Sequence, residues 1–477
     1  MLFTSPVFLF LFLPILLVLH YFTPIRFRNV LLLIASLFFY AWGETLYVLL
    51  MLASILANYG FGLAIDHTRQ SRFQKRWLVL SVFFNLSMLI AFKYANFLVE
   101  NINTLLEVLA LPSISLDTVH LPLGISFFTF QAMSYVIDVY RGDAAVQRRF
   151  SNIALYITLF PQLIAGPIVR YHDVATQIIS RKIDSNLVLS GIRRFVLGLA
   201  KKMLIANPLG QAADAVFLMP ENELGMGLVW FGIFCYALQI YFDFSGYSDM
   251  AIGLGRMFGF RFLENFNYPY TAQSLQDFWR RWHISLSRWF RDYLYIPLGG
   301  NRGSSIRTYA NLFFVFLLCG LWHGASWSFV VWGLIHGCFL IFERAGLDRL
   351  LIRLWPVFRY AYTLMVVCIA WVFFRAEDLS FALTYTATML GFGGGSGSLS
   401  QLQNLALQSH ILMAFIAGIF LATPIYPWFS RSFVIPVLEG RPRFYFLSQL
   451  SLIFSLLAFA LLATASTTYN PFIYFRF

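Results

Sequence analysis

The sequence predicts an all-α polytopic membrane protein, and three observations support this prediction. Of the 477 residues, 59% are hydrophobic and only 12% are charged, whereas a soluble protein of this size carries about 25% charged residues. Apolar segments long enough to cross a bilayer as a helix recur along the chain. The basic residues behind the net charge of +12 lie in short loops between these segments. Such loops typically face the cytoplasm and its anionic lipids, so the charge does not require a nucleic-acid partner.

The first third of the chain contains five candidate spans, and the charge of their loops predicts their orientation. The candidates are residues 5–22, 29–43, 46–64, 77–97 and 121–140. Basic residues follow the first, third and fifth of these spans, and acidic residues follow the second and fourth. The positive-inside rule therefore predicts an N-terminus outside the cytoplasm and basic loops inside it.

The next apolar segment, residues 153–169, interrupts this alternation. Basic residues flank both of its ends, and it contains Pro161, Gly166 and Pro167. Broken backbone at membrane depth is tolerated where protein or a water-filled cavity surrounds it. The segment is therefore interpreted as a re-entrant element lining a cavity, and an ordinary span kinked by proline is the alternative.

Later spans are predicted at residues 187–206, 227–248, 357–375, 411–429 and 447–466. The second of these contains Asp243 and Asp249, two carboxylates that are unusual in a membrane helix. We expect both to cap or pair with arginines of the following segment and so to hold the helical bundle together, a role that is compatible with a catalytic one.

Residues 278–296 predict one amphipathic helix at the bilayer surface. Aromatic and apolar residues recur on one face, at Phe278, Trp282, Trp289, Tyr293 and Ile296. A second face carries Arg280, His283, Ser287 and Arg291. The arginines of such a helix either meet lipid phosphates or bind the phosphates of an anionic cosubstrate by bidentate contacts, and charge alone leaves both interpretations open.

Residues 309–342 predict two short crossings joined by a turn, with His323 near the turn and His336 in the second crossing. The sequence lacks the motifs of several kinds of catalytic or binding site. No zinc-type His/Cys spacing, no G-x-S-x-G elbow and no G-x-x-x-x-G-K-[ST] loop occurs in the sequence. A neutral imidazole acting as a general base remains, and a structural histidine is the alternative.

Several long motifs resemble the membrane-bound O-acyltransferase (MBOAT) family, most closely its AlgI-type branch. The motifs are YFDFSGYSDMA at residues 241–251, NFNYP at 265–269, FWRRWHISLS at 278–287, LGGNR at 298–302 and GLWHGA at 320–325. The resemblance implies about 11 to 12 spanning helices, together with re-entrant and interfacial helices, around a central tunnel. It also implies one membrane domain over residues 1–477, with N-terminal helices to residue 150, a catalytic core at 151–345 and C-terminal helices from 346.

The resemblance implies a polysaccharide O-acetyltransferase in the bacterial inner membrane, with a periplasmic N-terminus. Its catalytic histidine falls on His323, and His283 matches the second histidine of the family. Acetyl-CoA is the expected cosubstrate, no cofactor is permanently bound and no metal site is expected. Acetyl groups would pass to a periplasmic partner of the SGNH-hydrolase type that modifies alginate or, as in WssH-like systems, cellulose.

The residues expected to bind the coenzyme are Trp279, Arg280, Arg281, Arg288, Arg291 and Asn301. Acyl transfer also needs a donor for the oxyanion, for which His283, Trp279 or a backbone amide near Gly324 are candidates. A transporter or flippase of an acyl carrier or lipid-linked intermediate, with no chemistry of its own, is the alternative function.

Overall fold

A computed structural model describes residues 1–164, 166–392, 395, 397, 399–434, 442–467, 469–471 and 473. The chain forms two compact units. Unit 1 comprises Met1–Ile192 and Ala251–Leu263, and unit 2 comprises Arg193–Met250 and Glu264–Phe477. The prediction of one domain with boundaries near residues 150 and 345 remains a prediction.

Unit 1 is helical because an apolar backbone in a bilayer must satisfy its own hydrogen bonds. Its α-helices are Leu13–Phe22, Arg28–Ala41, Tyr47–His67, Arg72–Leu89, Ala95–Val108, Ile125–Arg141, Phe150–Thr158, Phe160–Leu163 and Tyr171–Ile179. Short π or 3-10 turns occur at Phe8–Phe12, Ile25–Phe27 and Ile90–Tyr94. The helix Ser185–Ala200 begins in unit 1 and ends in unit 2, and Met226–Met257 runs from unit 2 into unit 1.

Unit 2 is helical as well, and no strand occurs in the described part of the chain. Its remaining α-helices are Asn207–Phe217, Leu275–Arg281, Ile284–Phe290, Ser305–His323, Trp327–Phe342, Asp348–Arg353, Pro356–Arg375, Leu379–Met389, Leu399–Ala406, Ser409–Leu421, Ile425–Phe429 and Pro442–Ser466. Short π or 3-10 turns occur at Lys201–Ala206, Glu221–Glu223, Pro269–Thr271, Arg291–Tyr295, Glu343–Leu347 and Ser430–Val434.

The all-α membrane fold predicted from the sequence is confirmed. Within the described ranges, seven helices are long and apolar enough to cross a membrane, or eight if the bent pair Leu399–Ala406 and Ser409–Leu421 is one span. The sequence predicts more because several predicted spans are short helices. Arg28–Ala41 has 14 residues and Ile125–Arg141 has 17, whereas a perpendicular crossing takes about 20.

The segment at residues 153–169 is broken rather than kinked. The helix Phe150–Thr158 ends at Leu159, which has an extended ψ of 108°, and only the four-residue turn Phe160–Leu163 follows. Nine helical residues span about 14 Å, far less than the hydrocarbon thickness. These bounds favour the re-entrant interpretation over a continuous span with a proline kink.

The prediction of a single surface helix over residues 278–296 is wrong. Two seven-residue helices, Leu275–Arg281 and Ile284–Phe290, are separated at Trp282 and His283, and a π turn follows. The aromatic stripe packs inside the protein, with Phe278 and Trp282 buried. The spacing of the aromatic residues does reflect helical structure, but these side chains are buried in the protein and do not contact lipid headgroups.

Asp243 and Asp249 form ion pairs inside unit 2, as expected, but with residues that precede them in the chain. Lys202 Nζ lies 2.6 Å from Asp243, and both side chains are almost fully buried. Arg194 and Lys201 each contact Asp249 at 2.7 Å. The expectation that arginines of the following segment supply these charges is therefore wrong, since the partners lie on the helical run before Met226–Met257.

The same buried charges hold a segment near the end of the chain. The amide of Ile473 donates to Asp243 Oδ2 at 3.2 Å, and Lys202 Nζ donates to the carbonyl of Pro471. The hydroxyl of Tyr469 donates to Asp214 Oδ2 at 2.5 Å. Tyr469, Pro471 and Ile473, here called the terminal clamp, thus contribute hydrogen bonds to side chains that lie more than 200 residues earlier.

The hairpin predicted at residues 309–342 is confirmed as the helices Ser305–His323 and Trp327–Phe342. The two helices approach closely at Gly320 and Gly333, where an added Cβ would lie 2.4 Å from a backbone carbonyl of the other helix. His323 is the last residue of the first helix and adjoins the turn, as the sequence predicts.

Candidate active site

His283 lies at the break between the two short helices and adopts an unusual backbone conformation. Its φ of 42° and ψ of 54° are left-handed, which is uncommon for a residue with a side chain. Asn265 supports this conformation, because its carbonyl accepts from the amide of Ile284 at 2.9 Å and its Oδ1 accepts from the amide of Ser285 at 3.1 Å. The break therefore places the His283 ring in the interior, with no exposed surface.

The hydrogen bonds of Asn265 determine which nitrogen of His283 carries the proton. Since Oδ1 of Asn265 accepts from the backbone N–H of Ser285, the amide orientation is fixed, and its Nδ2 donates to Ser248 Oγ at 3.1 Å. His283 Nδ1 lies 3.2 Å from the same Oδ1. An oxygen of this kind only accepts, so Nδ1 carries the proton and Nε2 is the basic nitrogen.

The basic Nε2 of His283 is buried and has no hydrogen-bond partner among the described residues. Burial lowers the pKa of His283 to about 3, so the ring is neutral at physiological pH. Such a neutral nitrogen can accept a hydrogen bond from a bound molecule.

A row of aromatic rings connects three histidines of unit 2, His283, His323 and His336. The centroids of His283 and Trp322 are 6.5 Å apart, and those of Trp322 and its neighbour His323 are 5.0 Å apart. His323 packs edge-on against Trp332 at 4.8 Å, and Trp332 lies 5.0 Å from His336. The two predicted catalytic histidines therefore occupy one cluster, on either side of Trp322.

His336 belongs to this cluster but was not among the predicted site residues. It is fully buried, and its Nδ1 accepts from Trp279 Nε1 at 3.3 Å. Nδ1 is thus the unprotonated nitrogen and Nε2 carries a proton, for which no acceptor occurs in the described ranges. The signal available from the sequence was an ionisable residue within an apolar helix.

Trp279 is buried in the protein, whereas Arg280, Arg288 and Asn301, which are also predicted to bind coenzyme, are exposed. Its ring packs against Phe316, Trp332 and His336, and its N–H is donated to His336. This placement argues against a coenzyme contact through its indole nitrogen.

The predicted coenzyme arginines divide into two pairs. Arg281 contacts Asp277 and Arg291 contacts Asp292, at 2.9 and 2.7 Å respectively. Arg280 and Arg288 are exposed, as is Asn301, and no carboxylate pairs with these two arginines within the described structure. Arg280 and Arg288 therefore retain the charge that a phosphate would need, whereas the other two arginines are already neutralised by neighbouring acids.

The N–H groups expected to stabilise an oxyanion already have acceptors. Trp279 donates to His336, the His283 Nδ1 proton is directed at Asn265, and the amide of Gly324 donates to the carbonyl of Gly320 at 3.2 Å. The remaining buried N–H donors without a partner in the described part of this cluster include Trp332 Nε1 and His336 Nε2.

The sequence model of MBOAT, the membrane-bound O-acyltransferase family, matches residues 34–376. The chain belongs to the MBOAT family. Both predicted catalytic histidines, His283 and His323, and the third buried histidine, His336, lie within the matched region.

Several proteins with similar sequences carry the names of acyltransferases. A Pseudomonas putida protein named "Probable alginate O-acetylase AlgI" is 42% identical, with 100% of each chain covered. An Azotobacter vinelandii protein of the same name is 44% identical over 93% of this chain and 88% of its own. A "Peptidoglycan O-acetyltransferase" from Helicobacter pylori is 37% identical over 83% of this chain and 81% of its own. This membrane protein is therefore an acyltransferase.

Proposed function

We propose that this protein is a polysaccharide O-acetyltransferase that takes acetyl from acetyl-CoA at the cytoplasmic face and passes it across the membrane. The acceptor is an exopolysaccharide, alginate or cellulose. The names of the most similar relatives support O-acetylation of a polysaccharide, and alginate is the acceptor in the names of two of them. A periplasmic SGNH-hydrolase-like protein receives the acetyl group, and the membrane is the inner membrane, with the N-terminus in the periplasm.

One observation supports the chemistry most directly. His283 presents a bare Nε2 inside the protein because Asn265 holds the proton on Nδ1, and His323 lies on the other side of Trp322. Acyl transfer needs a hydroxyl to lose its proton as its oxygen attacks the thioester carbonyl and the C–S bond breaks. In this proposal His323 takes that proton and passes it to the thiolate of coenzyme A, which leaves as the free thiol, and His283 accepts a hydrogen bond from an N–H or O–H group of the bound substrate.

The oxyanion of the tetrahedral intermediate is stabilised by Trp332 Nε1 and His336 Nε2 in this proposal. Both N–H groups are buried without an acceptor among the residues that the structure describes, and the Trp332 ring contacts His323 directly. Removal of one such donor costs about 10²–10³ in turnover. We expect Trp332→Phe, which keeps the ring and deletes the N–H, to lower kcat by about that factor with little change in KM.

The experiment that tests the function measures transfer of labelled acetyl from acetyl-CoA by purified protein in nanodiscs, with a periplasmic partner added. Wild type is compared with His323→Ala and with His410→Ala, because His410 is an exposed histidine outside the cluster. We expect transfer by wild type and His410→Ala only. Normal transfer by His323→Ala removes that residue from the mechanism, and no thioester consumption by any variant indicates another donor.

A further inference from the structure

Three loops of unit 1 meet around the guanidinium of Arg181. Its Nε donates to the carbonyl of Phe258 at 2.9 Å, and its Nη1 donates to Asn29 Oδ1 at 2.6 Å. Asn29 in turn donates to the carbonyl of Ile178 at 2.8 Å. These contacts join the turn after the first helix, the turn after Tyr171–Ile179 and the end of Met226–Met257, and they bring Arg28 into the same region.

Arg28 and Arg181 donate only to neutral oxygens. Arg28 donates to the carbonyls of Thr23 and Tyr21, at 3.1 and 3.4 Å. Both arginines are half-buried, and neither forms an ion pair with a carboxylate in the part of the chain that the structure describes. Charged groups withdrawn from water are normally paired. Arg181 stacks on the ring of Phe260, 4.2 Å from its centroid, but neither guanidinium has an anionic partner among the described residues.

The two charges act on each other. Burial and, to a smaller extent, the charge of Arg28 lower the pKa of Arg181 to about 10. Arg181 is nevertheless protonated at neutral pH, and two like charges in a partly desolvated site repel each other. An anion between them would remove the repulsion and supply the missing acceptors.

His20 is the second, independent observation. It lies in the last turn of Leu13–Phe22, is fully buried and packs edge-on against Phe258, with ring centroids 5.1 Å apart. The carbonyl of Phe258 also accepts from Arg181 Nε, so Phe258 links this histidine to the arginine. Neither of its nitrogens has a hydrogen-bond partner among the described residues. A neutral imidazole carries one N–H donor, so this buried polar group also lacks an acceptor.

We propose that His20, Arg28, Asn29 and Arg181, here called the unit 1 anion site, bind a phosphate group. Arginine donates two parallel hydrogen bonds to phosphate oxygens, and the imidazole N–H supplies a further donor. The phosphate belongs either to the headgroup of an anionic phospholipid or to a soluble polyphosphate such as a coenzyme. Exposed Phe22 and Ile25 lie in the same turn, and this apolar surface suits the phospholipid.

The unit 1 anion site is separate in sequence from the arginines predicted to bind coenzyme, all of which lie at residues 280–291. It is independent of the catalytic role proposed for His323. Evidence against the proposed function would therefore leave the unit 1 anion site unaffected, and evidence against the site would leave the proposed function unaffected.

The test compares lipid binding by the full chain in nanodiscs that contain phosphatidylcholine alone or phosphatidylcholine with phosphatidylglycerol. Native mass spectrometry counts retained phosphatidylglycerol for wild type, for Arg28→Gln with Arg181→Gln, and for the matched control Arg26→Gln with Lys182→Gln. The control removes the same charge from the same two loops at exposed positions. A parallel arm titrates coenzyme A and inorganic pyrophosphate into protein in phosphatidylcholine alone.

We expect the Arg28/Arg181 variant to bind about 10-fold more weakly or worse, and the control to stay within about 3-fold. Binding of phosphatidylglycerol only identifies a lipid headgroup, and binding of coenzyme A or pyrophosphate only identifies a soluble polyphosphate. Equal losses in both double variants, or no binding in either arm, overturn the proposal. Should the glutamine variant not fold, Arg28→Lys with Arg181→Lys keeps the charge and removes the bidentate geometry. It must then weaken binding relative to wild type, and unchanged binding by the lysine variant overturns the proposal.

Discussion

Replacement of Asn265 tests whether this side chain sets the chemical state of His283. Its Oδ1 accepts three hydrogen bonds, from the Ser285 amide at 3.1 Å, the Ser285 hydroxyl at 2.9 Å and His283 Nδ1 at 3.2 Å. The side chain is 1% exposed, so water does not replace it. In Asn265→Leu the Ser285 amide and His283 Nδ1 lose their acceptor, at about 1–3 kcal/mol each. The expected loss of stability is therefore about 2–6 kcal/mol.

In Asn265→Leu no side-chain oxygen at position 265 holds the proton of His283 on Nδ1, so the proton can lie on either ring nitrogen. Once Nε2 can carry the proton, it no longer accepts a hydrogen bond from the substrate in every molecule, and we expect acetyl transfer to fall by about 10-fold. Asn267→Ala is the matched control, because Asn267 is a nearby exposed asparagine of the same segment whose backbone amide, not its side chain, contacts Arg281. We expect it to retain wild-type activity and stability.

Asn265→Asp separates a role in positioning from a role in stability alone. The carboxylate keeps an acceptor beside Nδ1, but its charge favours the protonated ring and raises the pKa of His283. As the pH is lowered, acetyl transfer by the Asp variant should therefore decline at a higher pH than transfer by the wild type, because the protonated ring no longer offers an acceptor nitrogen. Identical pH profiles for the two proteins, with full activity in Asn265→Leu, would refute the reasoning.

Three other predictions concern stability. The hydrogen bond from His172 Nδ1 to Asp138, 2.9 Å long, raises the pKa of this histidine. The stabilisation from this bond is therefore complete below pH of about 6.5 and is lost as the pH rises through the raised pKa. Melting temperatures across pH 6–9 should fall more steeply in wild type than in His172→Gln, and parallel curves would contradict this prediction. Lys202→Met leaves its carboxylate partner buried and unpaired, at about 3–5 kcal/mol, which a marked drop in melting temperature would report and an unchanged one would exclude. Gly320→Ala should destabilise by about 1–3 kcal/mol because its methyl meets a carbonyl at 2.4 Å, whereas Gly60→Ala, with open space around it, should not, and equal effects of the two would refute the packing argument.

Most of the helices could be predicted from the sequence because hydropathy and loop charge report the bilayer directly. The hairpin that carries His323 at its turn follows from two apolar segments with charged flanks. Span number was harder to predict, since an apolar segment of 14 residues, such as Arg28–Ala41, has the composition of a span without its length.

The environment of the site could not be derived from periodicity. The aromatic stripe at residues 278–296 has the spacing of a continuous helix, yet hydrogen bonds from Asn265 break the helix at His283. Those bonds join residues about 20 positions apart, and no local pattern encodes them. The tautomer of His283 and the unpaired N–H of His336 depend on the same kind of contact, so only the coordinates reveal which nitrogens are available for chemistry.

The terminal clamp has a consequence for how the protein is made. The Asp243 carboxylate accepts the amide of Ile473, which is synthesised 230 residues later. At translation rates of about 5–20 residues per second, this delay is about 10–50 s. For that time the helix Met226–Met257 resides in the translocation machinery or the bilayer with an incompletely bonded carboxylate, paired with Lys202 alone. Unit 2 therefore reaches its final hydrogen bonding only after residue 473 has been translated.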